Sequence, residues 1–516
     1  MSAELANGSL NLADATVLVA GLGVTGHAVV GALTPRVAQV ITVAEGNEAD
    51  HQMPTDIQTA KAVLGISDAV TSETGGSIAG ASDNVGSETG TQPLPNPAAH
   101  PAVDLVVTSP GIPPDNPLLA TAIANHIPVW SEVELAWQLR NELENPAEWL
   151  AVTGTNGKTT TVGMLESILK AGGERALAVG NVGTPLITAA LDPELDVLAV
   201  ELSSFQLHFT HSMAAQAAAI LNIAPDHLDW HGGFENYAHD KAKIYRGVQA
   251  AGVYNVADPL TNELLANAEV TEGARAVGFT LDIPQRGMVG VVDDMLVDRA
   301  FHLPFDTYQR EKSADELATF ADLDHLTTTH AKTPPNHIIA NALAAAALAR
   351  AHGVSLKAIQ QGLRDFAPGG HRIQVVGQPG GVQYVDDSKA TNAHAAAASL
   401  QAFPPGSVVW IVGGLAKGAT FDELVAQNRE ALKAAVVIGV DQQPFTQALA
   451  RHAADVPTIV IDPSDTDVMG SAVKAASQLA QPGDTVLLAP AGASQDQFQS
   501  YAHRGAAFTE AVRALG

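Results

Sequence analysis

The chain has 516 residues, 46% of them hydrophobic and 45 of them glycine, a composition that favours two to four globular α/β domains, of which we expect three. Lys and Arg number 27 against 55 Asp and Glu, and the resulting net charge of −28 argues against nucleic-acid binding, although local cations could still hold a small anion. The absence of cysteine excludes disulfides, thiolate metal sites and a thiol nucleophile.

The sequence indicates neither a secretory signal nor a membrane-spanning segment. The N-terminal residues MSAEL carry no basic stretch ahead of an apolar core, as a secretory signal would. No run of about 18 apolar residues occurs anywhere in the chain. We therefore expect a cytoplasmic protein that does not insert into a membrane.

The first predicted element is a βαβ unit that contains a glycine-rich turn. An apolar run at 16–20 ends in Gly21-Leu-Gly23-Val-Thr-Gly26, a helix-like stretch follows, and Glu45 lies near the position of a ribose-binding acid. This pattern is typical of dinucleotide binding, but the turn binds any pyrophosphate at a helix N-terminus, including that of UDP. A tight strand-to-helix turn without a ligand is the third interpretation.

A low-complexity insertion follows. From about Ile66 to Ala102 the chain is rich in Ser, Gly, Asn, Pro and acids, and the tetrapeptide SETG occurs at 72–75 and again at 87–90. Such a segment buries too little apolar surface to offset its ordering entropy, so we expect a mobile surface insertion. An apolar strand pattern returns at 104–113.

A phosphate-binding loop opens the second predicted domain. The apolar run Trp149 to Thr153 leads into GTNGKTT and then a helix-compatible sequence, the order in which backbone N–H groups, a lysine and a hydroxyl bind a nucleoside triphosphate. Val152 stands where the general P-loop pattern has its first glycine. We expect ATP binding by the whole loop, which comprises Gly154, Thr155, Asn156, Gly157, Lys158, Thr159 and Thr160.

Four further motifs follow this loop in order, and each by itself is weak. They are GNVG at 180–183, ELSSFQL at 201–207, NIAPDHLD at 222–229 and YAHDK at 237–241. A lone buried histidine is more often a core residue than a ligand, and Glu201 could simply end a strand. Together with TGTNGKTT, however, they resemble the Mur ligase family over essentially the whole chain.

A third domain begins between 333 and 370, after an alanine-rich helical run that stops at Gly353. Its apolar runs SVVWIVGG, AAVVIGV and DTVLLAPAG alternate with helix-like segments, as in a second doubly wound sheet. Its motifs DDSKATN at 386–392, GGLAK at 413–417, APAGASQDQF at 489–498 and His371-Arg372 resemble those of the family members that add D-glutamate.

The resemblance implies an α/β fold of three domains. These are a Rossmann-like UDP-substrate-binding domain at 1–147, which carries the insertion, a central P-loop ATPase domain at 148–334 and a Rossmann-like amino-acid-binding domain at 335–516. It also implies an ATP- and Mg²⁺-dependent ligase, acting as a monomer. The implied reaction adds D-glutamate to UDP-N-acetylmuramoyl-L-alanine through an acyl phosphate, in the cytoplasmic synthesis of peptidoglycan precursors that serves cell shape and division.

The resemblance also implies roles for individual residues. The catalytic set is Lys158, Glu201, His227 and Lys241, and the metal ligands are Thr159, Glu201, His227 and a carbamylated Lys241. The ATP site adds to the P-loop the residues His337, Asn341, Arg372 and Asp387. The substrate-binding residues are Gly23, Val24, Thr25 and Gly26 for the UDP group, Asn181, Ser203 and Ser204 for the muramoyl peptide, Lys389, Thr391, Lys417, Ser494 and Phe498 for D-glutamate, and His227 for both substrates.

Lys241 is an unusual metal ligand. An ammonium about 4 Å from Mg²⁺ is repelled by roughly 8 kcal/mol at an effective dielectric of 20, so this side chain must change charge or point away. The family resemblance implies carbamylation by CO₂, which converts the amine into an anionic oxygen ligand. The alternative is an ordinary surface lysine on an amphipathic helix.

The chain departs from the family pattern at two places, and three other functions compete. Glu45-Gly46-Asn47 differs from the family's uracil-binding sequence, and Ile338 stands where the family usually has Asn. The competing functions are a nicotinamide dehydrogenase, another amide ligase (a folylpolyglutamate synthase or a Mur ligase that adds a different amino acid), and a nucleotide-binding module without catalysis. The P-loop argues against the first, DSKATN and ELSSFQL against the second, and the set of Glu201, His227 and Lys241 against the third.

Overall fold

The computed structural model describes residues 12–44, 49–66, 102–304, 307–326, 333–367, 374–416 and 419–516. The chain forms two compact units. Unit 1 comprises Met1–Pro146, Thr184–Asp192 and Phe205–Met213, and unit 2 comprises Ala147–Gly183, Pro193–Ser204 and Ala214–Gly516. The insertion over 67–101, Glu45-Gly46-Asn47, His371-Arg372 and Lys417 lie outside the described residues. In the described part of the chain, no helix is long and apolar enough to cross a membrane.

Unit 1 is built on a parallel five-stranded sheet with the order β3-β2-β1-β4-β5. Its strands are β1 Thr16–Ala20, β2 Gln39–Ala44, β3 His51–Gln52, β4 Leu105–Thr108 and β5 Val129–Ser131, and its helices are α1 Val24–Leu33, α2 Ile57–Val63, α3 Pro117–Ala124 and α4 Glu132–Leu139. Every residue of β1 is buried, as its continuous apolar sequence requires for a strand covered on both faces. The predicted βαβ opening is confirmed.

The central sheet of unit 2 has the order β14-β13-β12-β11-β10-β9-β6-β8-β7. Its strands are β6 Glu148–Thr153, β7 Ala176–Gly180, β8 Val197–Glu201, β9 Ala217–Ile220, β10 Ala251–Asn255, β11 Arg275–Phe279, β12 Met288–Val292, β13 Met295–Asp298 and β14 Asp315–Thr319. The strands from β7 to β12 are parallel, whereas β13 and β14 extend the sheet in antiparallel fashion. The carboxyl ends of β6, β7, β8 and β9 therefore share one edge.

The helices of this central region are α5 Lys158–Ala171, α8 Leu228–His231, α9 Phe234–Ala242, α10 Pro259–Ala266, α11 Asn336–His352 and α12 Leu356–Asp365. Helix α6 Leu186–Ala190 and all but the first residue of α7 Ser204–His208 belong to unit 1. Helices α11 and α12 pack in the same core as α5 and the central strands. A Cβ added to Gly362 on α12 would lie 2.3 Å from Ile168 Cα on α5, so this glycine permits the close crossing. As the sequence indicated, α11 stops at Gly353, which has a φ of 102°.

The third sheet lies in the remainder of unit 2 and has the order β15-β16-β20-β17-β18-β19. Its strands are β15 Gln374–Gly377, β16 Gln383–Asp386, β17 Val408–Gly413, β18 Leu432–Ile438, β19 Thr458–Val460 and β20 Thr485–Ala491, and its helices are α13 Ala393–Leu400, α14 Asp422–Asn428, α15 Gln443–His452, α16 Val468–Leu479 and α17 Tyr501–Arg513. Separate apolar clusters cover its two faces. The predicted three-domain α/β fold class is confirmed, and the domain boundaries stay a prediction.

Candidate active site

The P-loop follows β6 and has the backbone that its glycines permit. Gly154 and Gly157 have φ of 152° and 86°, and Gly157 caps the N-terminus of α5. A Cβ at Gly157 would lie 2.5 Å from the side-chain oxygen of Asn341, which α11 brings against the loop. The N-terminus of α5 is a position that favours an anion, so a predicted nucleotide-binding side chain contacts a loop suited to phosphate.

Two side chains hold the P-loop in its curved form. Lys158 Nζ donates to the carbonyls of Gly154 and Thr155 at 2.8 and 2.9 Å. The Asn222 side chain accepts from the Asn156 N–H at 2.9 Å and donates to the Asn156 carbonyl at 3.1 Å. Asn222 belongs to the motif NIAPDHLD, but its role is not evident from the sequence, because its pairing with the loop depends on β9 lying beside β6.

Tyr237 on α9 ties the same loop to the segment after β9. Its hydroxyl lies 2.9 Å from Thr155 Oγ1, and Thr155 Oγ1 also bonds with the backbone of Ala224. Burial raises the pKa of Tyr237 far above its usual value, so the phenol stays protonated. The loop is thus supported from the side that carries Lys241.

Glu201 ends β8 with one carboxylate oxygen unsatisfied. The residue is 2% exposed, and Oε1 accepts from Asn181 Nδ2 at 2.9 Å. Oε2 is buried and accepts no hydrogen bond from any residue within the described ranges. A buried carboxylate oxygen without a donor is costly, and it is a good ligand for a cation. The position of Asn181 beside Glu201 joins a predicted substrate contact to a predicted metal ligand.

Lys241 lies inside the protein, on α9. The residue is 2% exposed, and its Nζ donates to the Gly154 carbonyl at 3.0 Å and contacts Thr153 Oγ1 at 3.4 Å. Burial and the nearby charge of Lys158 hold the pKa of Lys241 well below its usual value, although nearby carboxylates oppose this shift. Lys241 is therefore not a surface lysine, and its burial favours the neutral form of the amine.

His227 lies at the start of α8 in an uncommon backbone conformation. Its φ is 52°, a left-handed value that few residues other than glycine adopt, and such values often occur at functional sites. Its Nε2 lies 3.6 Å from Asp226 Oδ1. The side chain is partly exposed, as a group that contacts substrate must be.

The loop after β16 contacts the P-loop. Lys389 Nζ donates to Thr159 Oγ1 at 2.9 Å, which places an ammonium beside a predicted metal ligand. Asn392 Nδ2 lies 3.3 Å from Asn156 Oδ1 and 3.4 Å from Asp226 Oδ2. The fold of unit 2 therefore brings DSKATN, the motif assigned to the amino acid, onto the phosphate-binding loop.

Other predicted residues of the third domain lie on the segments that follow β16 and β20. Asp387 is buried and accepts a hydrogen bond from Ser399, and the Thr391 N–H donates to the Lys389 carbonyl at 2.9 Å. Ser494 is buried, and its hydroxyl has no hydrogen-bond partner among the residues that the structure describes. Phe498 packs on the edge of one apolar cluster of the third sheet.

Arg504 on α17 connects the two loops that carry these residues. Its guanidinium donates to Ser388 Oγ and the Ser388 carbonyl, both at 2.9 Å, and to the Gly492 carbonyl at 3.0 Å. Burial lowers the pKa of Arg504 to about 10, so it remains charged near pH 7. Arg504 was not predicted from the sequence, because nothing in its local sequence indicates that it connects two distant loops.

The remaining predicted residues of unit 2 have these positions. His337 lies in the first turn of α11, one turn before Asn341. Ser203 precedes α7, and Ser204 is buried with its hydroxyl 2.9 Å from His231 Nε2. A cavity of about 510 Å³ adjoins the site, lined in part by Thr159, Thr160, Phe366, Lys389 and Tyr501. Arg372 and Lys417 lie outside the described residues.

Unit 1 presents the glycine-rich turn that begins α1. Gly21 has a φ of 91°, and a Cβ on Gly26 would lie 1.9 Å from the Gly21 carbonyl oxygen. Gly23 caps the helix, and Val24 is 77% exposed, beside a half-buried Thr25. Gly21 and Gly26 are thus packed closely against each other while Val24 faces solvent, an arrangement that suits binding of an anion by backbone N–H groups.

This combination defines a class of protein. A P-loop with a buried carboxylate and lysine, contacted by a loop from a second doubly wound sheet, is the arrangement of an ATP-dependent ligase. Residues 152–349 match the Mur ligase middle domain, and residues 371–492 match the glutamate ligase domain of Mur ligases. The chain belongs to the Mur ligase family and is an ATP-dependent, ADP-forming amide ligase.

Relatives of this chain are similar over their full length. A protein of Streptomyces avermitilis named UDP-N-acetylmuramoylalanine–D-glutamate ligase is 50% identical over 97% of this chain and 98% of its own. A protein of Thermobifida fusca with the same name is 49% identical over 98% of this chain and 100% of its own. This likeness contradicts the dehydrogenase interpretation of GLGVTG.

Solved structures share the fold at low sequence identity. The UDP-N-acetylmuramate-alanine ligase MurC from Thermotoga maritima has a TM-score of 0.54 and 17% identity, over 97% of this chain and 100% of that one. The FolC protein of E. coli, in complex with DHPP and ADP, has a TM-score of 0.51 and 20% identity, over 75% of this chain and 92% of that one. These two likenesses concern the fold alone.

Proposed function

We propose that this chain joins the amine of D-glutamate to the L-alanyl carboxylate of UDP-N-acetylmuramoyl-L-alanine, in peptidoglycan precursor synthesis. The full-length likeness to ligases named for this reaction supports the substrates. The observation that carries the proposal is the 2.9 Å contact between Lys389 and Thr159, because it joins the predicted amino-acid loop to the phosphate-binding loop.

The proposed reaction has two steps. A carboxylate oxygen first attacks the γ-phosphorus of ATP, the bond to the β,γ-bridging oxygen breaks, and ADP leaves. The amine nitrogen then attacks the acyl carbon, phosphate leaves and the nitrogen loses a proton. Both steps bring anions together, so Lys158 and the N-terminus of α5 would neutralise the phosphate charge. To reach the phosphates, Lys158 must leave the loop carbonyls to which it donates.

The residues present fit Mg²⁺. Glu201 Oε2 is a buried oxygen without a donor among the described residues, and Thr159 Oγ1 accepts from an ammonium, a group of the same charge sign as a metal ion. Thr159 and Glu201 would hold one Mg²⁺ beside the β and γ phosphates, and His227 with carbamylated Lys241 would hold a second. When bound, Mg²⁺ neutralises charge that develops on the transferred phosphoryl group.

Carbamylation of Lys241 is part of this proposal. The neutral amine attacks the carbon of CO₂, a C–N bond forms and the nitrogen loses a proton, which leaves one negative charge shared by two oxygens. Burial and the charge of Lys158 both favour the neutral amine that this step needs. The competing state is an unmodified amine that keeps its hydrogen bond to the Gly154 carbonyl.

The remaining binding roles are proposed on the family resemblance and the positions described above. His337, Asn341, Arg372 and Asp387 would bind the nucleotide, and the UDP group would meet the turn of Gly23, Val24, Thr25 and Gly26. Asn181, Ser203 and Ser204 would meet the muramoyl peptide. D-glutamate would bind to Lys389, Thr391, Lys417, Ser494 and Phe498, with His227 contacting both substrates.

Phosphate release from ATP tests the proposal directly. The purified chain is incubated with ATP, Mg²⁺ and UDP-N-acetylmuramoyl-L-alanine together with each member of a panel of D- and L-amino acids. We expect release with D-glutamate and very little with L-glutamate or with other amino acids. Release that depends on a different amino acid would contradict the substrate assignment, while leaving the ligase class intact.

We also propose that the enzyme works in the cytoplasm as a monomer. Its proposed nucleotide substrates, ATP and a UDP-linked sugar, are cytoplasmic metabolites, and one chain supplies every residue of the proposed site. Cell fractionation and sedimentation velocity at micromolar concentration check the two statements. Activity confined to a dimer would contradict the second.

A further inference from the structure

A buried histidine that the proposed mechanism does not use lies at the centre of a hydrogen-bonded chain. His231 Nδ1 lies 2.8 Å from Asp240 Oδ2, and His231 Nε2 lies 2.9 Å from Ser204 Oγ. All three side chains are buried. Because the carboxylate can only accept, Nδ1 donates its hydrogen to Asp240, and this bond fixes the orientation of the ring.

The three hydrogen-bonded residues, Ser204, His231 and Asp240, lie close in sequence to the three proposed metal ligands that flank the P-loop. Ser204 is three residues after Glu201, His231 is four residues after His227, and Asp240 immediately precedes Lys241. The segments of Glu201 and Lys241 are therefore each joined to His231 by a hydrogen bond, and His227 lies on the same segment as His231.

The segment of His227 depends on this attachment more than the others. Helix α8 has only four residues, from Leu228 to His231, and it is preceded by the left-handed backbone of His227. A helix this short has little stability of its own. The buried imidazole at its last residue therefore anchors the helix, and with it the backbone of His227.

The ring of His231 also reaches the P-loop through one neighbour. It packs edge-on against the Tyr237 ring, with centroids 5.3 Å apart, and the Tyr237 hydroxyl bonds with Thr155. On the other side, the second oxygen of Asp240 pairs with Lys243 Nζ at 2.8 Å. Asp240 is thus held from two sides, and Lys241 follows it on the same helix.

We propose that His231 is a positioning residue, which holds the segments of Glu201, His227 and Lys241 in one arrangement that binds the divalent cation. The inference rests on the proposed function, because it assigns these three residues to the metal. Groups that orient metal ligands through hydrogen bonds commonly change metal affinity about 10- to 100-fold when they are replaced. Of the two hydrogen bonds of the imidazole, the one to Asp240 affects the position of Lys241, because Asp240 and Lys241 are adjacent on α9.

Two substitutions separate the hydrogen bonds of the imidazole. In His231→Asn the shorter amide can still donate to Asp240 but does not reach Ser204, whereas in His231→Gln the longer amide reaches Ser204 and misses Asp240. The readout is the affinity of the ADP-bound protein for Mn²⁺, measured by electron paramagnetic resonance of free Mn²⁺. We expect about tenfold or greater weakening in His231→Gln and a change of less than about threefold in His231→Asn.

A matched control is available in His352→Gln. His352 is also a histidine with limited exposure, and its Nδ1 lies 2.6 Å from the Gln216 side chain. Gln216 precedes β9, so this pair lies at the sheet edge opposite the P-loop. We expect unchanged Mn²⁺ affinity in this variant. In the ligation assay, His231→Gln should raise the Mg²⁺ concentration that gives a half-maximal rate about tenfold, whereas a smaller folded fraction would lower the rate without changing that concentration.

The possible results are distinct. Wild-type Mn²⁺ affinity in folded His231→Gln would overturn the positioning role. If that variant does not fold, Asp240→Asn takes its place, because it weakens the same hydrogen bond, and unchanged Mn²⁺ affinity there would overturn the role equally. Failure of the wild-type chain to ligate D-glutamate would instead overturn the proposed function, whatever the Mn²⁺ affinities are.

Discussion

Two glycine-rich turns of this protein begin in the same way and differ in what surrounds them. In unit 1, GLGVTG follows β1 and opens α1, and in unit 2, GTNGKTT follows β6 and opens α5. Both present backbone N–H groups at a helix N-terminus. Each turn contains threonine, but only GTNGKTT contains a lysine, and it is contacted by Asn222, Tyr237, Asn341 and Lys389.

This difference between the two turns suggests that the first binds a substrate, whereas the second takes part in phosphoryl transfer. A backbone turn can hold a pyrophosphate that stays unchanged, and this is the role that we propose for the glycine-rich turn of unit 1. Transfer of a phosphoryl group also needs charges that neutralise the transition state, and at the second turn the described residues Lys158 and Lys389 can supply them. Substitutions at the second turn should therefore affect kcat, and those at the first should affect substrate affinity.

The largest expected effect is that of Lys158→Ala. We expect kcat to fall about 10²- to 10³-fold, because one donor to the transferred phosphoryl group is lost. Steady-state phosphate release measures it, with the free energy of unfolding as the control for folding. A near-normal kcat of Lys158→Ala would contradict the assignment of phosphoryl transfer to the second turn.

Lys241→Ala should come next, with nearly complete loss of turnover that a small carboxylate partly restores. Acetate at high concentration can occupy the space of the missing carbamate, whereas Lys241→Arg should not respond, because its guanidinium stays charged and fills that space. For the unsubstituted enzyme, removal of CO₂ should lower activity and bicarbonate should restore it. Full activity of Lys241→Ala without acetate would end the carbamate proposal.

Lys417→Ala should change affinity for one substrate. We expect KM for D-glutamate to rise about 10- to 100-fold, because a charged hydrogen bond to a substrate carboxylate is lost, while KM for ATP changes little. Initial rates with each substrate varied in turn measure both constants. Equal increases in the two would reassign Lys417 to the nucleotide.

Gly26→Ala should weaken binding of the UDP substrate at the first turn. The added Cβ would lie 1.9 Å from the Gly21 carbonyl oxygen, so the turn must open. We expect KM for this substrate to rise about tenfold, the effect of roughly 1.4 kcal/mol, with little change in kcat. Gly31→Ala on the same helix is the control, because its Cβ would have no atom within 4 Å. A fall confined to kcat would contradict the comparison.

Deletion of residues 72–90 should have the smallest effect. The cost of closing a loop depends only on the logarithm of its length, and the low-complexity sequence of this segment indicates little apolar burial. We expect kcat and the melting temperature to remain close to those of the complete chain. A loss of affinity for the UDP substrate beyond about tenfold would show that the insertion contributes to binding at the first turn.

The sequence alone determined the class of fold, the P-loop and the family. These depend on short-range features, which are apolar runs bounded by glycines and residues at set spacing within a turn. Such features can be recognised in the sequence alone, because a strand, the turn after it and the first turn of the next helix are contiguous in the chain. The substrate-binding and catalytic roles carried over from the family remain predictions, with Arg372 and Lys417 outside the described residues.

Only the tertiary structure decided which of these residues meet. The burial of Lys241, the unsatisfied oxygen of Glu201, and the contact of Lys389 with Thr159, 230 positions apart in the chain, follow from how sheets and helices pack. Arg504 and His231 were missed for the same reason. Their hydrogen bonds join segments that no local pattern links, because burial and partner choice are set by long-range packing of strand edges and helix faces.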